Sequence, residues 1–456
     1  MTRDLVLGVF EMLYPNNAHP TWRHPHARAD RYTDLDHWLG LARLLDDAGL
    51  EFLFFADSYG YATDARGDLL DVGARHGVQF GQLDPMMIVT ALTAATRDLG
   101  IVVTSQTTVE APYASARRFA TLDHLTRGRI GWNMVTGASP NSIARTFGQQ
   151  VLPDHAARYD IADEFAEICY QLWEGSWADD ALRNDVAGDV WADPARIRPV
   201  EHRGAHRTST GVFVVPPSPQ RTPTLFQAGT SARGRDFAAL HAEVVFLQGT
   251  STASCAEHVA DLRRRAEGHG RTDGLRVVTG VSVVVDPDAG RAADLRAELD
   301  AQFRPEDAAA LYLANTGIDL LALDPDLPIS TQSTEQGRTA LERFTRTGEP
   351  TVAEVLEKFR AHGLRGFQVT GDPASVGEQL AAVVEATGVD GFMFEPTFGD
   401  HSAFVDVVEH VLPELERRGL RTPGRRRTGT LRERMGGEGP RLPASHPAAA
   451  HRWPRT

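Results

Sequence analysis

The stretch TLDHLTRGRIGWNMVTGASPNSIARTFGQQVLPDHAARYDIADEF, residues 121–165, contains the unit from which the whole chain is built. A helix ends in it with a turn at Gly128, and an apolar strand follows over residues 129–135. The strand opens into a polar loop, after which an amphipathic helix begins near residue 155. Trp132, Asn133 and Thr136 lie toward the carboxyl end of the strand, so we predict that the stretch forms the floor of a binding site.

The same strand–loop–helix unit recurs along the chain. Apolar runs of strand type alternate with helical segments at residues 5–10, 52–57, 100–105, 129–135, 224–229, 244–248, 276–285 and 391–395. Eight strands separated by helices predict an α/β fold, the TIM (β/α)8 barrel. An open, doubly wound sheet is the alternative, but no G-x-G-x-x-G pattern follows the first strand as a dinucleotide-binding fold would require.

Two segments and the tail depart from this repeat. Residues of about 176–222 and 287–369 break the rhythm and indicate insertions into one barrel that spans residues 1–420. The tail, residues 421–456, is rich in Pro and Gly and carries nine arginines against two acids. A loosely packed arm or an arm that contacts a second subunit is favoured for such a charge run, and a tail that touches RNA is the alternative.

Composition limits the possible functions. The 456-residue chain has a net charge of -14 and is 42% apolar, so a basic nucleic-acid-binding face is not expected. The absence of 18 uninterrupted apolar residues and of a leader-type N-terminus predicts a cytoplasmic protein without a membrane segment. Two cysteines, Cys169 and Cys255, make neither a disulfide framework nor a zinc motif, and Cys169 is predicted to be a core residue.

The carboxyl ends of barrel strands meet at one rim, where active sites form. Polar residues follow most of the predicted strands there: Glu11, Asp57, Thr104, Ser105, Asn133, Thr136, Gly229, Thr230, Ser231, Gln248 and Glu395. The set contains no lysine for a Schiff base, and the chain has no G-x-S-x-G nucleophile motif. Histidines at positions 19, 24 and 26 lack the spacing of metal ligands, so no metal site is predicted and a loop of solvated or capping histidines is favoured.

Residues 227–235, QAGTSARGR, have the pattern of an anion site at the start of a helix. Gly229 allows a ligand to approach the backbone closely. Thr230 and Ser231 begin a helix whose first N–H groups and positive dipole end favour a phosphate. Simple helix capping by the same hydroxyls is the alternative, and the local sequence alone favours it.

Long segments in matching order carry a family resemblance: WRHP (22–25), FADSYG (55–60), ARRFATLDHLTRGRIGWNMVTG (116–137), DHAARYDIADEF (154–165), LWEGSWADDAL (172–182), SPQRTPTLFQAGTSARGRDFAALHAEVVF (218–246), GVDGFMF (388–394), TGTLRERMGG (428–437) and RLPASHPAA (441–449). Together they cover nearly the whole chain. They resemble the bacterial luciferase-like flavin monooxygenases, in the branch of the nitrilotriacetate, EDTA, dibenzothiophene-sulfone and long-chain alkane monooxygenases.

The resemblance implies a two-component monooxygenase. A separate NAD(P)H:FMN reductase would supply reduced FMN, and O2 would be activated as a flavin C4a-(hydro)peroxide to oxygenate a small organic substrate. By position, the resemblance implies flavin contacts at Asp57, Thr104, Asn133, His155, Tyr159, Thr230 and Ser231, of which the last two would hold the phosphate. It also implies a homo-oligomer. His24, within WRHP and near the rim, is a candidate general base.

The chain departs from the alkane-type members at positions on the substrate side. Residues 14–17 (YPNN) replace a Cys and a His, and segments 137–140 and 308–316 each lack a His that relatives carry. The Asp-Val-Tyr sequence of the loop after the second strand is absent from this chain, and Tyr59 and Tyr61 lie nearby instead. Alkane hydroxylation is therefore not inherited. Two alternatives stay open: a deazaflavin (F420)-dependent oxidoreductase, which GWNMVTG and DHAARYD disfavour, and a flavin-binding protein without oxygenase activity.

Overall fold

The computed structural model describes residues 4–15, 20–25, 27–28, 30–64, 67–137, 140–249, 251–271, 275–331, 349–424 and 428–454. Its strands are β1 Val6–Met12, β2 Phe52–Ala56, β3 Gly100–Gln106, β4 Ile130–Val135, β5 Leu182–Asp185, β6 Val190–Ala192, β7 Val200–Arg203, β8 Thr208–Gly211, β9 Thr224–Gln227, β10 Val244–Leu247, β11 Arg276–Val285, β12 Phe367–Gly371 and β13 Gly391–Glu395.

The α-helices surround these strands. They are α1 Leu35–Asp47, α2 Asp71–His76, α3 Val89–Ala94, α4 Pro112–Thr126, α5 Pro140–Thr146, α6 His155–Tyr170, α7 Ala232–His241, α8 Thr252–Gly268, α9 Ala289–Ala301, α10 Pro305–Thr316, α11 Val352–His362, α12 Pro373–Thr387, α13 Ser402–Asp406, α14 Leu412–Arg417 and α15 Leu431–Arg434. Within the described residues, no helix has both the length and the apolar character that crossing a bilayer requires.

Eight parallel strands close into a barrel in the order β1–β2–β3–β4–β9–β10–β11–β13. Two pairings complete the ring: Val6 of β1 lies opposite Gly391 of β13, and Val244 of β10 lies opposite Arg276 of β11. The predicted TIM barrel is therefore confirmed, and the open sheet is wrong. The strands read as nearly continuous apolar runs because the barrel interior covers one face and the helices cover the other.

Alternate residues of each strand face the barrel interior, as the pleat requires. One apolar cluster fills that interior and includes Val6, Phe52, Phe54, Val102, Phe226, Phe246 and Met393. The intervening residues join a second cluster between strands and helices, which includes Leu7, Val9, Leu53, Phe55, Ile101, Val103 and Trp132. At the carboxyl rim, this alternation directs Thr104, Asn133, Gln248 and Glu395 inward and Glu11 and Ser105 toward the helices.

The two interruptions of the repeat have different architectures. Between α6 and β9, two antiparallel hairpins form, β5–β6 and β7–β8. Between β11 and α12 lie α9, α10, α11 and β12. The ten-residue β11 pairs first with β10 and then, over Val281–Val285, with β12. This ninth parallel strand is absent from the sequence prediction. That residues 1–420 form one domain stays a prediction.

The C-terminal arm closes the amino-terminal end of the barrel. Leu431 is 0% exposed and joins the interior cluster together with Met435. The Arg432 guanidinium donates to both carboxylate oxygens of Glu243 at 2.6 and 2.9 Å, and Arg434 donates to the Leu50 carbonyl at 2.9 Å. A loosely packed arm is therefore wrong for residues 428–454, because Leu431 lies in the barrel interior and Arg432 and Arg434 are buried against a carboxylate and a carbonyl of the barrel.

Candidate active site

Two neighbouring strands place Thr104 and Asn133 side by side at the interior rim. The residues lie in register on β3 and β4. The Thr104 hydroxyl donates to the Phe55 carbonyl at 2.9 Å, so it accepts from Asn133 Nδ2 at 2.8 Å and thereby orients the amide. Asn133 is 3% exposed, and its Oδ1 has no hydrogen-bond partner among the described residues. A buried acceptor left unsatisfied costs about 1–3 kcal/mol, so this oxygen is suited to accept from a ligand.

Gln106 presents a second acceptor of the same kind. It follows Thr104 by two residues on β3 and so faces the same side of the strand. The residue is 2% exposed, and its Oε1 also lacks a partner within the described part of the chain. Sequence reasoning missed Gln106, although its two-residue spacing from Thr104 would have indicated it.

Asp57 follows β2 and holds a carboxyl group with perturbed acidity. Burial, followed by the negative charges of Asp84 and Glu110, raises the pKa of Asp57 to about 7, against an opposing hydrogen bond from the Ser58 N–H. Gln82 Nε2 donates to Asp57 Oδ1 at 2.9 Å. A carboxyl that changes protonation near neutrality is able to hold or release a proton at the rim.

Glu110 organises the loop after β3. Its Oε1 accepts from the Tyr59 hydroxyl at 3.1 Å, from Ser105 Oγ at 2.9 Å and from the Gln106 N–H at 3.0 Å. Its Oε2 accepts from Ser115 Oγ at 2.9 Å. The network fixes the backbone of Gln106. Burial, and after it the negative charge of Glu110, raises the pKa of Tyr59. The sequence offered no pattern that distinguishes Glu110 from other loop acids.

The first turns of α6 and α7 meet at three of the predicted residues. Ser231 caps α7, because its Oγ accepts from the Gly234 N–H at 3.0 Å. The same Oγ lies 3.4 Å from His155 Nε2 and hydrogen-bonds the Tyr159 side chain. The rings of His155 and Tyr159 are 5.2 Å apart at their centroids. The structure thus brings together His155, Tyr159 and Ser231, and the capping role of Ser231 is confirmed.

Two glycines make room for the Tyr159 hydroxyl at the start of α7. A Cβ added to Gly229 would lie 2.6 Å from Tyr159 Oη, and one added to Gly234 would lie 2.7 Å from it. The Arg233 guanidinium lies 5.5 Å from the Tyr159 ring centroid and is paired with the carboxylates of Asp160, at 3.0 Å, and of Asp163. The Thr230 carbonyl accepts from Arg235. The hydroxyls, the imidazole and the positive end of the helix dipole together favour an anion here.

The remaining predicted positions lie elsewhere. His24 Nε2 is 3.2 Å from Glu298 Oε2, and its ring stacks on Phe398 at 4.4 Å, so its role as general base stays a prediction. Trp132 is 0% exposed and packs between the barrel and its helices. The prediction that it forms part of the floor of the site is therefore wrong. The strand pleat explains this, since Trp132 and Asn133 must face opposite sides.

The substrate-side positions Asn16, Asn17, Ala138 and Ser139 and the loop histidines His19 and His26 fall outside the described residues. The segment at residues 308–316 forms buried turns of α10. Within the part of the chain that the structure describes, no three His, Cys, Asp or Glu side chains are arranged to hold a metal ion.

Known proteins match this chain over nearly its full length. The family described as luciferase-like monooxygenases matches residues 17–391. The long-chain alkane monooxygenase of Geobacillus thermodenitrificans is 37% identical over 99% of both chains. The dimethyl-sulfide monooxygenase of Hyphomicrobium sulfonivorans is 37% identical over 99% of this chain and 94% of its own. A crystal structure of a riboflavin lyase with modified FMN and the substrate riboflavin superposes with a TM-score of 0.94, at 39% identity, over 99% of this chain and 100% of that one.

Proposed function

This chain belongs to the luciferase-like monooxygenase family, and we propose on that premise that it is a two-component, FMN-dependent monooxygenase. In this proposal an NAD(P)H:FMN reductase delivers reduced FMN, O2 is the co-substrate, and a small organic molecule receives one oxygen atom. Relatives of equal identity are named for an alkane and for dimethyl sulfide, so identity alone does not select a substrate.

The cradle at the start of α7 is the observation that carries the proposal. Ser231 Oγ, His155 Nε2 and Tyr159 Oη converge there on a helix N-terminus kept open by Gly229 and Gly234. Such a site binds a phosphate through backbone N–H groups, side-chain donors and the helix dipole. The cradle therefore fits the terminal phosphate of FMN, and Thr230 would lie beside it.

The interior rim fits the rest of the cofactor. Asn133 Oδ1 and Gln106 Oε1, which have no partner among the described residues, would accept from the N–H and hydroxyl groups that reduced FMN carries. Reduced FMN, when bound, supplies the two electrons that activate O2. Below this level the stacked rings of Phe10, Phe54 and Phe246 fill the barrel and exclude water from beneath the site.

Asp57 is the residue suited to proton transfer in this proposal. Its carboxyl is partly protonated near pH 7 because burial and neighbouring carboxylates raise its pKa. It can hold a proton at Oδ2 while Gln82 fixes Oδ1. A group with a pKa near the working pH is the most effective acid or base, because both protonation states are populated.

Anaerobic titration with reduced FMN tests the proposal. We expect saturable binding at up to about tens of micromolar, a common range for a small ligand. Riboflavin, which lacks the phosphate, should bind more weakly because it leaves the α7 cradle empty. Absence of FMN binding would overturn the proposed function.

The oxygenase reaction is tested separately, with the reductase present. Product formed only under O2 supports the proposal. Turnover without O2 would instead favour the F420-dependent oxidoreductase, and FMN binding without any oxygenated product would indicate a binding protein. Homo-oligomerisation stays part of the proposal, and light scattering after size exclusion of the full chain measures it.

A further inference from the structure

Three segments that follow different barrel strands meet at one buried carboxylate, that of Asp307. They are the loop at residues 20–25 after β1, helix α2 after β2, and helix α10 after β11. Connections that follow barrel strands lie at the carboxyl rim. The meeting point is therefore on the same face of the barrel as the candidate active site.

Asp307 joins these segments through two cationic or hydrogen-bonding partners. Arg23 Nη2 lies 3.1 Å from Asp307 Oδ2, and His76 Nδ1 pairs with Asp307 Oδ1. The Asp307 side chain is 0% exposed. Arg23 Nη2 also donates to the Gln302 carbonyl at 2.9 Å, and Trp22 Nε1 donates to the His76 carbonyl at 2.9 Å. Loop 20–25 and α2 are thus bound to each other as well as to α10.

Apolar contacts also hold the α2 region against α10 but do not set its register. Val78, just after α2, packs with Leu311, Tyr312 and other residues of α10 in one cluster. Apolar contact is non-directional, whereas a carboxylate in the first turn of a helix accepts hydrogen bonds along defined directions. Asp307 is therefore the group that determines how loop 20–25 and α2 sit on α10.

We propose that Asp307 is a positioning residue that holds loop 20–25, α2 and α10 together as a cover over the active site. The WRHP segment then acts in docking: Trp22 and Arg23 make the ties described above, and His24 pairs with Glu298 of α9. The link to the active site rests on the proposed function. A closed cover would retain the reduced cofactor and keep water from it.

Hydrogen exchange of the full chain without any ligand tests the tie itself. The variant is Asp307→Asn, and the matched control is Glu306→Gln, which removes one negative charge from the same helical turn. We expect the N–H groups of His24, Gly73 and Val78 to exchange about tenfold faster. This factor corresponds to the loss of one hydrogen bond to a charged group. These N–H groups now bond the carbonyls of Thr21, Leu70 and Gly73 at 2.8, 2.9 and 2.9 Å. Exchange in β3 and β4 should not change.

The proposal is overturned if residues 20–25 and 71–78 exchange as slowly in Asp307→Asn as in the control, or if only α10 becomes faster. Should Asp307→Asn fail to fold, Arg23→Gln and His76→Gln replace it. Arg23→Gln is expected to accelerate exchange in residues 20–25, and His76→Gln in residues 71–78. No change in either variant would also overturn the proposal.

A second readout tests whether the cover acts on the active site. Release of reduced FMN, followed anaerobically by recovery of protein fluorescence, should be severalfold faster in Asp307→Asn than in Glu306→Gln. A role confined to α10 stability would leave the release rate unchanged, and that result would refute a cover over the site. If the unaltered protein does not bind reduced FMN, the proposed function fails, while hydrogen exchange still decides whether Asp307 ties the rim.

Discussion

Gly234→Ala places a methyl group inside the cradle at the start of α7. The added Cβ would lie 2.7 Å from Tyr159 Oη, where an ordinary contact begins at 3.4 Å, and 3.0 Å from Ser231 Oγ. The tyrosine hydroxyl must therefore move by about 0.7 Å, the difference between the two distances. Tyr159 is 5% exposed and packed against Phe237 at a centroid distance of 5.5 Å, so it has little space in which to move.

Two opposing effects limit the loss of stability in this variant. Alanine in a helix is favoured over glycine by about 1 kcal/mol. Weakening the hydrogen bonds from Tyr159 to Ser231 and Gln227 costs about 0.5–1.5 kcal/mol each. The net loss in the free energy of unfolding is therefore about 0–2 kcal/mol, which leaves the protein folded.

Binding of reduced FMN should respond much more strongly than stability. Loss of one charge-assisted hydrogen bond to the phosphate costs about 1.5–3 kcal/mol, or roughly 10- to 100-fold in the dissociation constant. Riboflavin affinity should change far less, since riboflavin has no phosphate. The matched control is Gly268→Ala, at the last residue of α8, where an added Cβ meets nothing within 4 Å. Reduced FMN bound equally by Gly234→Ala and by this control would refute the phosphate cradle.

Three further predictions concern stability. Because the pKa of Asp57 is raised to about 7, its stabilising contribution is present below about pH 4 and lost as pH rises through 7. The melting temperature of Asp57→Asn should therefore rise relative to that of the unaltered protein between about pH 4 and 7, and not below about pH 4. Burial lowers the pKa of His37 to about 4, so its contribution to stability is present above about pH 6.5 and lost as pH falls through 4. On acidification, the free energy of unfolding from denaturant titration should fall less in His37→Gln than in the unaltered protein, and an equal fall would contradict this. Leu431→Ala should cost about 2–5 kcal/mol of unfolding free energy, because the side chain is 0% exposed in the barrel interior; Leu125→Ala, at a 63% exposed residue, is the control and should be nearly neutral.

The barrel was predictable because its information is local. Each strand is a short apolar run, and helices such as α1, α6 and α7 begin at a capping side chain, so the strand count and the alternation appear without any long-range contact. The ninth strand, β12, was not predictable, since it exists only where it pairs with the extended half of β11. The arm was mispredicted for a related reason. Composition presents Arg432 as solvated, whereas its partner Glu243 lies 189 residues away in the chain.

The candidate site divides in the same manner. Ser231 could be recognised from the helix start that it caps, and the family resemblance added His155 and Tyr159 at the start of α6. Gln82 and Glu110 could not be recognised, because they lie in loops whose paths no local pattern predicts. Asp57 was predicted as a flavin contact, but its pKa near 7 depends on burial and on charges contributed by other segments.

Local pattern therefore established the barrel, the helix start that Ser231 caps and the set of polar strand ends. The tertiary structure decided which of those polar ends face the interior, since the pleat turns the consecutive residues Trp132 and Asn133 to opposite faces of the sheet. It also decided that Arg23 and His76 meet at the buried carboxylate of Asp307. Burial and charge pairing depend on distance in space. Arg23 and Asp307 are 284 residues apart in the chain, and that separation does not predict that they are in contact.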